Sequence, residues 1–430
     1  MSFFFNLNNI INNKTATIGI IGLGYVGLPL ALLFEKKKFN VLGFDIDKNK
    51  IKFLKNGKSL IKHITDKSIK NSIDRRFNVT DNFTNINKLD IIILCLPTTL
   101  TKKFTPDLSY INDTMKNIFP YLKKGQLLIL ESSTYPGSTN ELIIKKFISK
   151  KFKVGSDYFV GYSPEREDPS NKKFKLENIT KLCSGFSKKC LITTNNLYKQ
   201  IVKKTHTLNK IETAEFTKIY ENIFRNVNIA LVNEMKIIAR RLNIDIFDTI
   251  KAAKTKPFGF QAFYPGPGVG GHCIPIDPYY LSWVAEKNNT KTEFIKLAGK
   301  VNLSMPKWII NQSIKYLKKN PKKVLLVGMA YKKNVDDMRE SPGLDFIKIF
   351  QKKKIKVDYY DPYIKKIKSR KLTNSLESIK FTKINLIKYD VVYILTDHDI
   401  INYDLIKNYS KLIVDTRNVF KKNLPNVIKL

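Results

Sequence analysis

Short apolar runs recur along the chain, each halting at a polar or acidic residue and followed by a stretch with helical spacing. Thr17 to Ile21 reads as a buried strand, Leu28 to Phe34 as an apolar helical run, and Val41 to Phe44 as a second strand that ends on Asp45. Asp90 to Thr98 and Gln126 to Thr134 repeat the pattern, again with polar ends. Strands that are apolar on both faces and alternate with helices belong in a parallel sheet covered on both sides. That arrangement is expected from Ala16 to about residue 200. Glu212 to Asn243 then carries Phe216, Ile219, Ile223, Val227, Leu231, Met235 and Ile238 at spacings of three and four, which predicts one long helix. From Pro321 the first pattern returns in Lys323 to Ala330, Lys356 to Pro362, Val391 to Leu395 and Lys411 to Asp415.

The turn after the first strand narrows the reading. Gly22-Leu23-Gly24-Tyr25-Val26-Gly27 has the Gly-x-Gly-x-x-Gly spacing between a strand and a helix, and Asp45 supplies the acid expected about 20 residues on. The glycines allow a tight turn, approach of a pyrophosphate and close packing of helix on strand, while the helix N-terminus offers N–H groups and the positive end of a dipole. Asp45 would hold ribose hydroxyls and repel a 2′-phosphate, favouring NAD over NADP, with Lys48 and Lys50 close enough to oppose it. The second α/β half lacks the three-glycine turn and is expected to bind something other than a dinucleotide. The expected fold class is α/β: two Rossmann-like, doubly wound parallel-sheet domains joined by a central helical region with a long helix, divided at residues 1–205, 206–305 and 306–430. In such sheets ligands bind beyond the carboxyl ends of the strands.

Candidate chemistry concentrates in Gly266-Pro267-Gly268-Val269-Gly270-Gly271-His272-Cys273-Ile274-Pro275-Ile276-Asp277-Pro278. A cysteine is a good nucleophile as a thiolate, which needs an open site with N–H groups or a cation nearby, and glycines permit that approach. Cys273 is thus the first candidate nucleophile. His272 beside it reads equally as a satisfied loop histidine and as a substrate contact.

With 430 residues, 43% of them hydrophobic, the chain can hold two or three domains with sizeable cores. No run has the 18 apolar residues of a membrane span, and the Met1 to Phe5 run is short and lacks the charged start of a secretory signal. A cytoplasmic location without a membrane partner is expected. Cys95, Cys183, Cys190 and Cys273 show no Cys-x-x-Cys spacing, which argues against a disulfide framework and a zinc site, and no metal is expected. The net charge of +39 would suit nucleic acid. Yet the lysines are spread along the whole chain with abundant asparagine and isoleucine, as A/T-rich codons would give, and no nucleic-acid motif stands out. No nucleic-acid partner is expected, although anionic substrates would be steered toward such a surface.

Together these motifs, from Gly22 to about Arg417, resemble the nucleotide-sugar dehydrogenases of the UDP-glucose/GDP-mannose dehydrogenase family, which oxidise the C6 alcohol of a UDP-sugar to a carboxylate with two NAD. Gly270 to Pro278 resembles the UDP-N-acetylhexosamine branch, because the UDP-glucose enzymes usually have Ser before the Cys and Lys before the Asp. Lys256 to Phe260, Phe263 to Gly268 and Glu131 to Gly137 look most like the UDP-N-acetylglucosamine 6-dehydrogenase subgroup. Some related enzymes place Arg after the proline that here precedes Phe258; any contact by that arginine does not transfer, which counts against the UDP-N-acetylmannosamine branch.

The resemblance implies a set of roles. Cys273 would trap the aldehyde as a thiohemiacetal, whose further oxidation leaves a thioester for water to hydrolyse. Lys218 and Asn222, four apart on one helical face, would project into the site, with Lys218 stabilising oxyanions and favouring the thiolate. Asp277 and Glu165 would handle water and protons, Glu165 as the base for thioester hydrolysis, with Thr134 positioning water. NAD would be held by Gly22, Gly24, Tyr25, Val26, Gly27, Asp45, Pro97, Thr98, Ser133, Thr134 and Arg339. The UDP-sugar would meet Glu165, Arg166, Lys218, Asn222, Tyr264, Gly266, Gly268, Gly270, Lys332 and Arg417. Pairing through the central helices would give a homodimer, and the uronate would feed a surface polysaccharide. UDP-N-acetylgalactosamine, UDP-N-acetylmannosamine and UDP-glucose stay open as substrates; an NAD-binding scaffold and a nucleic-acid binder stand as readings from other classes.

Overall fold

The computed structural model describes residues 2–61, 64–101, 103–167, 174–317, 320–368 and 375–430; every site residue named above lies among them, and Met1 of the N-terminal run lies outside. The chain divides into two compact units, Met1–Glu221 with Tyr279–Asn289, and Asn222–Pro278 with Thr290–Leu430.

The first unit is built on an eight-stranded sheet. Its strands are β1 (Thr17–Ile21), β2 (Asn40–Phe44), β3 (Phe77–Thr80), β4 (Ile91–Leu94), β5 (Leu127–Leu130), β6 (Phe159–Tyr162), β7 (Lys181–Gly185) and β8 (Thr205–Leu208). They lie in the order β8-β7-β6-β5-β4-β1-β2-β3. From β3 to β6 the sheet is parallel and doubly wound, and the winding reverses between β1 and β4, where such sheets open a ligand crevice. One joint departs from the expected parallel sheet: β7 runs antiparallel to β6 and carries β8 parallel to itself.

The continuous apolar runs follow from burial on both faces. Ile91 and Ile93 of β4 share one core with Ile18, Ile20, Leu127 and Ile129, whereas Ile92 and Leu94 point into the opposite core with Ile21, Leu128 and Leu130. Each fully buried side chain of this size contributes roughly 1.5–3 kcal/mol. The aromatic start of the chain forms a helix, Phe3–Asn12, whose Leu7 and Ile11 complete the first of these cores.

The second unit contains a five-stranded parallel sheet of β9 (Lys323–Val327), β10 (Lys356–Tyr360), β11 (Val391–Ile394), β12 (Ile413–Asp415) and β13 (Val427–Lys429) in the order β10-β9-β11-β12-β13. This order also reverses once, between β9 and β11. Val324 and Leu326 face one core and Leu325 and Val327 the other.

The long helix spans Ile211–Arg241, and the boundary between the units falls within it, at Glu221. Its apolar residues divide between two faces. Ile219 and Ile223 are buried together with Lys218, Asn222, Asn226, Asn233 and Lys236, while Phe216, Leu231, Met235 and Ile238 are exposed. Among the described residues no helix is long and apolar enough to cross a membrane.

Candidate active site

The glycine turn sits at the crevice of the first sheet. Gly22 has φ +96°, and a Cβ there would come 2.4 Å from the Cys95 carbonyl oxygen at the end of β4, so the residue must be glycine. Gly27 opens the following helix, Gly27–Lys36, against the carbonyl of Gly22, while a side chain at Gly24 would point into open space. Leu23 donates its amide to Asp45 Oδ2 at 3.0 Å, and Asp47 donates to Oδ1 at 3.0 Å. Lys50 Nζ lies 2.6 Å from the same Oδ2. Tyr25 and Val26 are half-buried in the turn, Thr98 is buried and Pro97 is exposed beyond β4, and Ser133 is half-buried beyond β5. Open backbone at Gly24, a helix N-terminus and a carboxylate at the end of β2 fit a dinucleotide.

Farther along the same carboxyl edge, Thr134 is fully buried, with Ser138 Oγ in hydrogen-bond contact with it. Glu215, from the long helix, accepts the amides of Gly137 and Thr139 at 2.5 and 2.8 Å, the Thr139 hydroxyl at 2.7 Å and Ser138 Oγ at 2.8 Å, so it fixes the turn that follows Thr134. Burial pushes the Glu215 carboxyl up despite these donors. One turn on, buried Lys218 donates its ammonium to the backbone carbonyl of Glu165. Glu165 Oε1 accepts the amides of Arg166, at 2.6 Å, and Glu167. The Arg166 guanidinium is held by Glu221, at 2.6 and 3.3 Å, and by the Thr180 carbonyl at 2.7 Å. A substrate contact by Arg166 would have to share or exchange these partners.

In the second unit the cysteine loop hangs on asparagines. Asn222 donates to Asp277 Oδ2, and its own oxygen accepts from Arg225. Asn226 donates to the Ile274 carbonyl at 3.1 Å, and Asn233 accepts the Gly266 amide at 3.0 Å. Asn302 ties these together, accepting from Asn233 at 2.9 Å and donating to the Asn226 carbonyl at 3.0 Å. The Cys273 carbonyl accepts the amides of Ile276 and Asp277 at 3.0 and 2.9 Å, turning the chain into the helix Asp277–Lys287. Cys273 is partly exposed. By contrast, burial pushes the Cys95 thiol up, and that of Cys183 to about 12. Burial, aided by the Arg339 charge, pushes His272 down to about 4, so its imidazole is neutral at pH 7. It cannot serve there as a cationic acid.

The remaining candidates of this unit are spread around the loop. Gly268 and Gly270 pack against Pro342, and Gly270 also against Tyr331; Lys332 is half-buried next to Tyr331, and Tyr264 is exposed. Arg339 pairs with Asp337, at 2.6 Å at the closest, and its carbonyl accepts the Gly271 amide at 2.8 Å. Arg417 donates Nε to the Leu395 carbonyl at 2.7 Å, and a Cβ on Gly266 would come 2.7 Å from its guanidinium. Lys236, one helical turn beyond Asn233, is buried with no hydrogen bond to its Nζ from the described residues, and burial together with Arg417 pushes its pKa down to about 7. At the crevice of the second sheet, Asp361 accepts the Met329 and Ala330 amides at 2.6 and 3.0 Å. It also meets His398 Nε2 at 3.2 Å; since His398 Nδ1 accepts the Asn334 amide, Nε2 carries the proton. Burial works against the Asp361 carboxylate, but His398 and the amides outweigh it and hold its pKa below the usual value.

Sequence reasoning missed Glu215, Asn226, Asn233, Asn302 and Lys236. The run of Asn222, Asn226 and Asn233 at spacings of four and seven was a usable signal for one polar helical face. Nothing local marked Glu215 or Asn302.

Three family models match in succession: the NAD binding domain of the UDP-glucose/GDP-mannose dehydrogenase family over residues 16–202, its central domain over 212–304 and its UDP binding domain over 325–422. The chain is 36% identical over 360 residues to UDP-N-acetyl-D-glucosamine 6-dehydrogenase of Pseudomonas aeruginosa, covering 82% of this chain and 84% of that protein. It is 32% identical over 426 residues to UDP-N-acetyl-D-mannosamine dehydrogenase of Pyrococcus horikoshii, covering 94% and 96%. The solved structure of the UDP-D-ManNAc dehydrogenase from Pyrococcus horikoshii superposes with a TM-score of 0.86 at 29% identity, over 96% of this chain and 98% of that one.

Two outcomes follow from the charges at these sites. Lys50 partly neutralises Asp45, so Lys50→Ala should raise the ratio of kcat/KM for NAD over NADP several-fold, as the bare carboxylate repels a 2′-phosphate; an unchanged ratio would show that the pair does not set selectivity. Lys236 has a folded pKa near 7, below its unfolded value of about 10.4. The unfolded chain therefore binds more protons between these values, and stability rises with pH across that window by up to about 1.4 kcal/mol per pH unit. Lys236→Met should raise Tm most at pH 6, with the gain vanishing by about pH 10; a gain independent of pH would sink this assignment.

Proposed function

The chain belongs to the UDP-glucose/GDP-mannose dehydrogenase family, and from that premise we propose that it oxidises the C6 alcohol of a UDP-N-acetylhexosamine, UDP-N-acetyl-D-glucosamine, to the uronate. The observation that carries this reading is the glycine-framed loop that presents Cys273 and clamps Asp277 to Asn222. The loop motif and the similarity to the Pseudomonas aeruginosa protein support the acetylglucosamine substrate. So does Phe258, which stands exposed where an arginine would be needed for a further contact. The three spans matched by the family models support the division into a cofactor domain, a central helical domain and a UDP-sugar domain near residues 205 and 305.

NAD, when bound at Gly22 to Gly27 and Asp45, accepts the electron pair from carbon in each of two oxidations. The chain's own residues do the rest. Cys273 adds to the aldehyde carbon and retains it as a thiohemiacetal, so that the second oxidation leaves a thioester instead of a free aldehyde. Lys218 and Asn222 donate to the oxyanion that develops at each addition. Asp277 orients the Asn222 amide. Glu165 takes the proton from the water that releases the acid, with Thr134 holding that water. Arg417, Lys332 and the backbone of Gly266, Gly268 and Gly270 hold the nucleotide sugar beside Tyr264, and the uronate supplies surface-polysaccharide assembly.

The exposed face of the long helix supports a two-fold homodimer. Phe216, Tyr220, Phe224, Leu231, Met235 and Ile238 all stand in solvent along it, too continuous an apolar stripe for a surface helix without a partner.

Cys273→Ser should bind NAD and UDP-sugar normally by calorimetry yet form almost no uronate. Near-normal acid production would sink the covalent route. NADH absorbance with a panel of UDP-sugars is expected to give the highest kcat/KM with UDP-N-acetyl-D-glucosamine; a higher value with the manno or gluco substrate would overturn the substrate assignment. Light scattering at micromolar concentration should give about twice the 49.7 kDa of one chain, and a mass near one chain would defeat the dimer.

A further inference from the structure

Beside Glu165, the carboxyl edge of the first sheet carries two further buried charges, Glu131 and Lys181. Glu131 follows β5, Glu165 lies just beyond β6, and Lys181 is the first residue of β7. Because β7 runs antiparallel to β6, its first residue arrives at the edge where β6 ends; a parallel strand would have started at the opposite edge. The reversal thus delivers an ammonium to the carboxyl edge.

Lys181 Nζ lies 2.9 Å from Glu131 Oε2, 3.8 Å from Glu165 Oε2 and 3.3 Å from the Pro164 carbonyl oxygen. Tyr198 donates its hydroxyl to Glu131 Oε1, and its ring centroid is 5.0 Å from the ammonium. Glu131, Lys181 and Tyr198 are all but inaccessible to solvent. Among the described residues, the Cys95 and Cys183 thiols, both pushed up by burial, also act on the cluster, and Lys218 holds the Glu165 carbonyl. Burial works against the Lys181 ammonium, but the two carboxylates outweigh it and its pKa lies above the ordinary value. Burial pushes the Glu131 carboxyl up, with Lys181 opposing.

Glu165 is gripped in three ways. Lys218 holds its carbonyl, the Arg166 and Glu167 amides hold Oε1, and Oε2 accepts no hydrogen bond from the described residues. Lys181 Nζ lies 3.8 Å from that oxygen, beyond hydrogen-bond length but close enough to fix a carboxylate electrostatically. A buried carboxylate oxygen with no hydrogen-bond donor, beside a fixed cation, suits an acceptor for a proton from a water admitted with the substrate. We propose that Lys181, itself anchored by Glu131 and Tyr198, is the positioning residue that holds the Glu165 carboxylate with Oε2 free to accept the proton of the hydrolytic water. Lys181 touches neither substrate nor cofactor in this role. The proposal rests on the reading of Glu165 as the base of thioester hydrolysis.

The test uses the full-length enzyme with UDP-N-acetyl-D-glucosamine and NAD, and measures Glu165→Gln beside the Lys181 variants. Glu165→Gln should accumulate the acyl adduct on Cys273, seen by intact mass; if it does not, the reading of Glu165 fails. Lys181→Met alone would strand Glu131, so it is combined with Glu131→Gln. The double variant should lose at least about tenfold in kcat, with both KM values within about twofold of the parent. It should accumulate the same adduct, and the acid limb of its kcat profile should move up by about one pH unit. Lys181→Arg should restore part of the loss. Glu131→Gln alone leaves the ammonium to Glu165 undivided, so its acid limb should move down. With Glu165→Gln accumulating adduct, parental kcat and acid limb in the double variant would overturn the proposal, as would a loss matched by equally weakened UDP-sugar binding. If the double variant does not fold, the near-isosteric Glu131→Gln decides: an acid limb that stays in place overturns the proposal and one that moves down supports it.

Discussion

The side-chain amides of one helix are what keep the cysteine loop in place. A glycine-dense loop has no ladder to satisfy its peptide groups, and a buried peptide group left unpaired costs about 1–3 kcal/mol. Asn226 and Asn233 meet this need at Ile274 and Gly266, Asn302 braces both, and Asn222 closes the far end on Asp277. Loss of Asn226 or Asn233 would take its side-chain partner from the Ile274 carbonyl or the Gly266 amide. The mobility expected of so many glycines is thereby suppressed around Cys273, the proposed nucleophile, on a loop braced from one side.

The first sheet meets a different need. Its central strands β1, β4, β5 and β6 are buried on both faces, so their polar groups appear where the strands stop, and the carboxyl edge of the sheet gathers Asp45, Ser132, Thr134 and Glu165. Ser132 binds the ends of two neighbouring strands, with its Oγ 2.8 and 2.9 Å from the Leu96 amide and carbonyl. Glu215 then fixes the next turn from the side. Function collects at this edge because the core excludes it elsewhere.

How much of this could be read from residues alone depended on range. Strands β1, β2, β4 and β5 and the four main strands of the second sheet announced themselves as apolar runs with polar stops, and the cofactor turn by its glycines. Strands β6, β7 and β8 were hidden: Lys181-Leu182-Cys183-Ser184-Gly185 is too polar and too small to look like a buried strand, and its direction follows from packing. The long helix was legible, but its two apolar faces were merged because three- and four-residue spacing alone does not say which side meets a partner. Of the candidate site, Cys273 came from its glycine-dense loop, and Lys218, Asn222 and Glu165 from motif resemblance. Their supports, Glu215 and Asn302, came from contacts made by residues far away in sequence. Arg166 shows the limit from the other direction, since its motif gave no hint that Glu221 and Thr180 already hold it.

The two doubly wound sheets turn the same topological crevice to different electrostatic ends. In the first, Asp45 accepts the Leu23 amide, and a Cβ at Gly24 would meet open space. In the second, Asp361 already neutralises the corresponding amides of Met329 and Ala330, so an incoming phosphate would meet a carboxylate. Phosphate recognition on that side therefore has to come from groups other than these two amides.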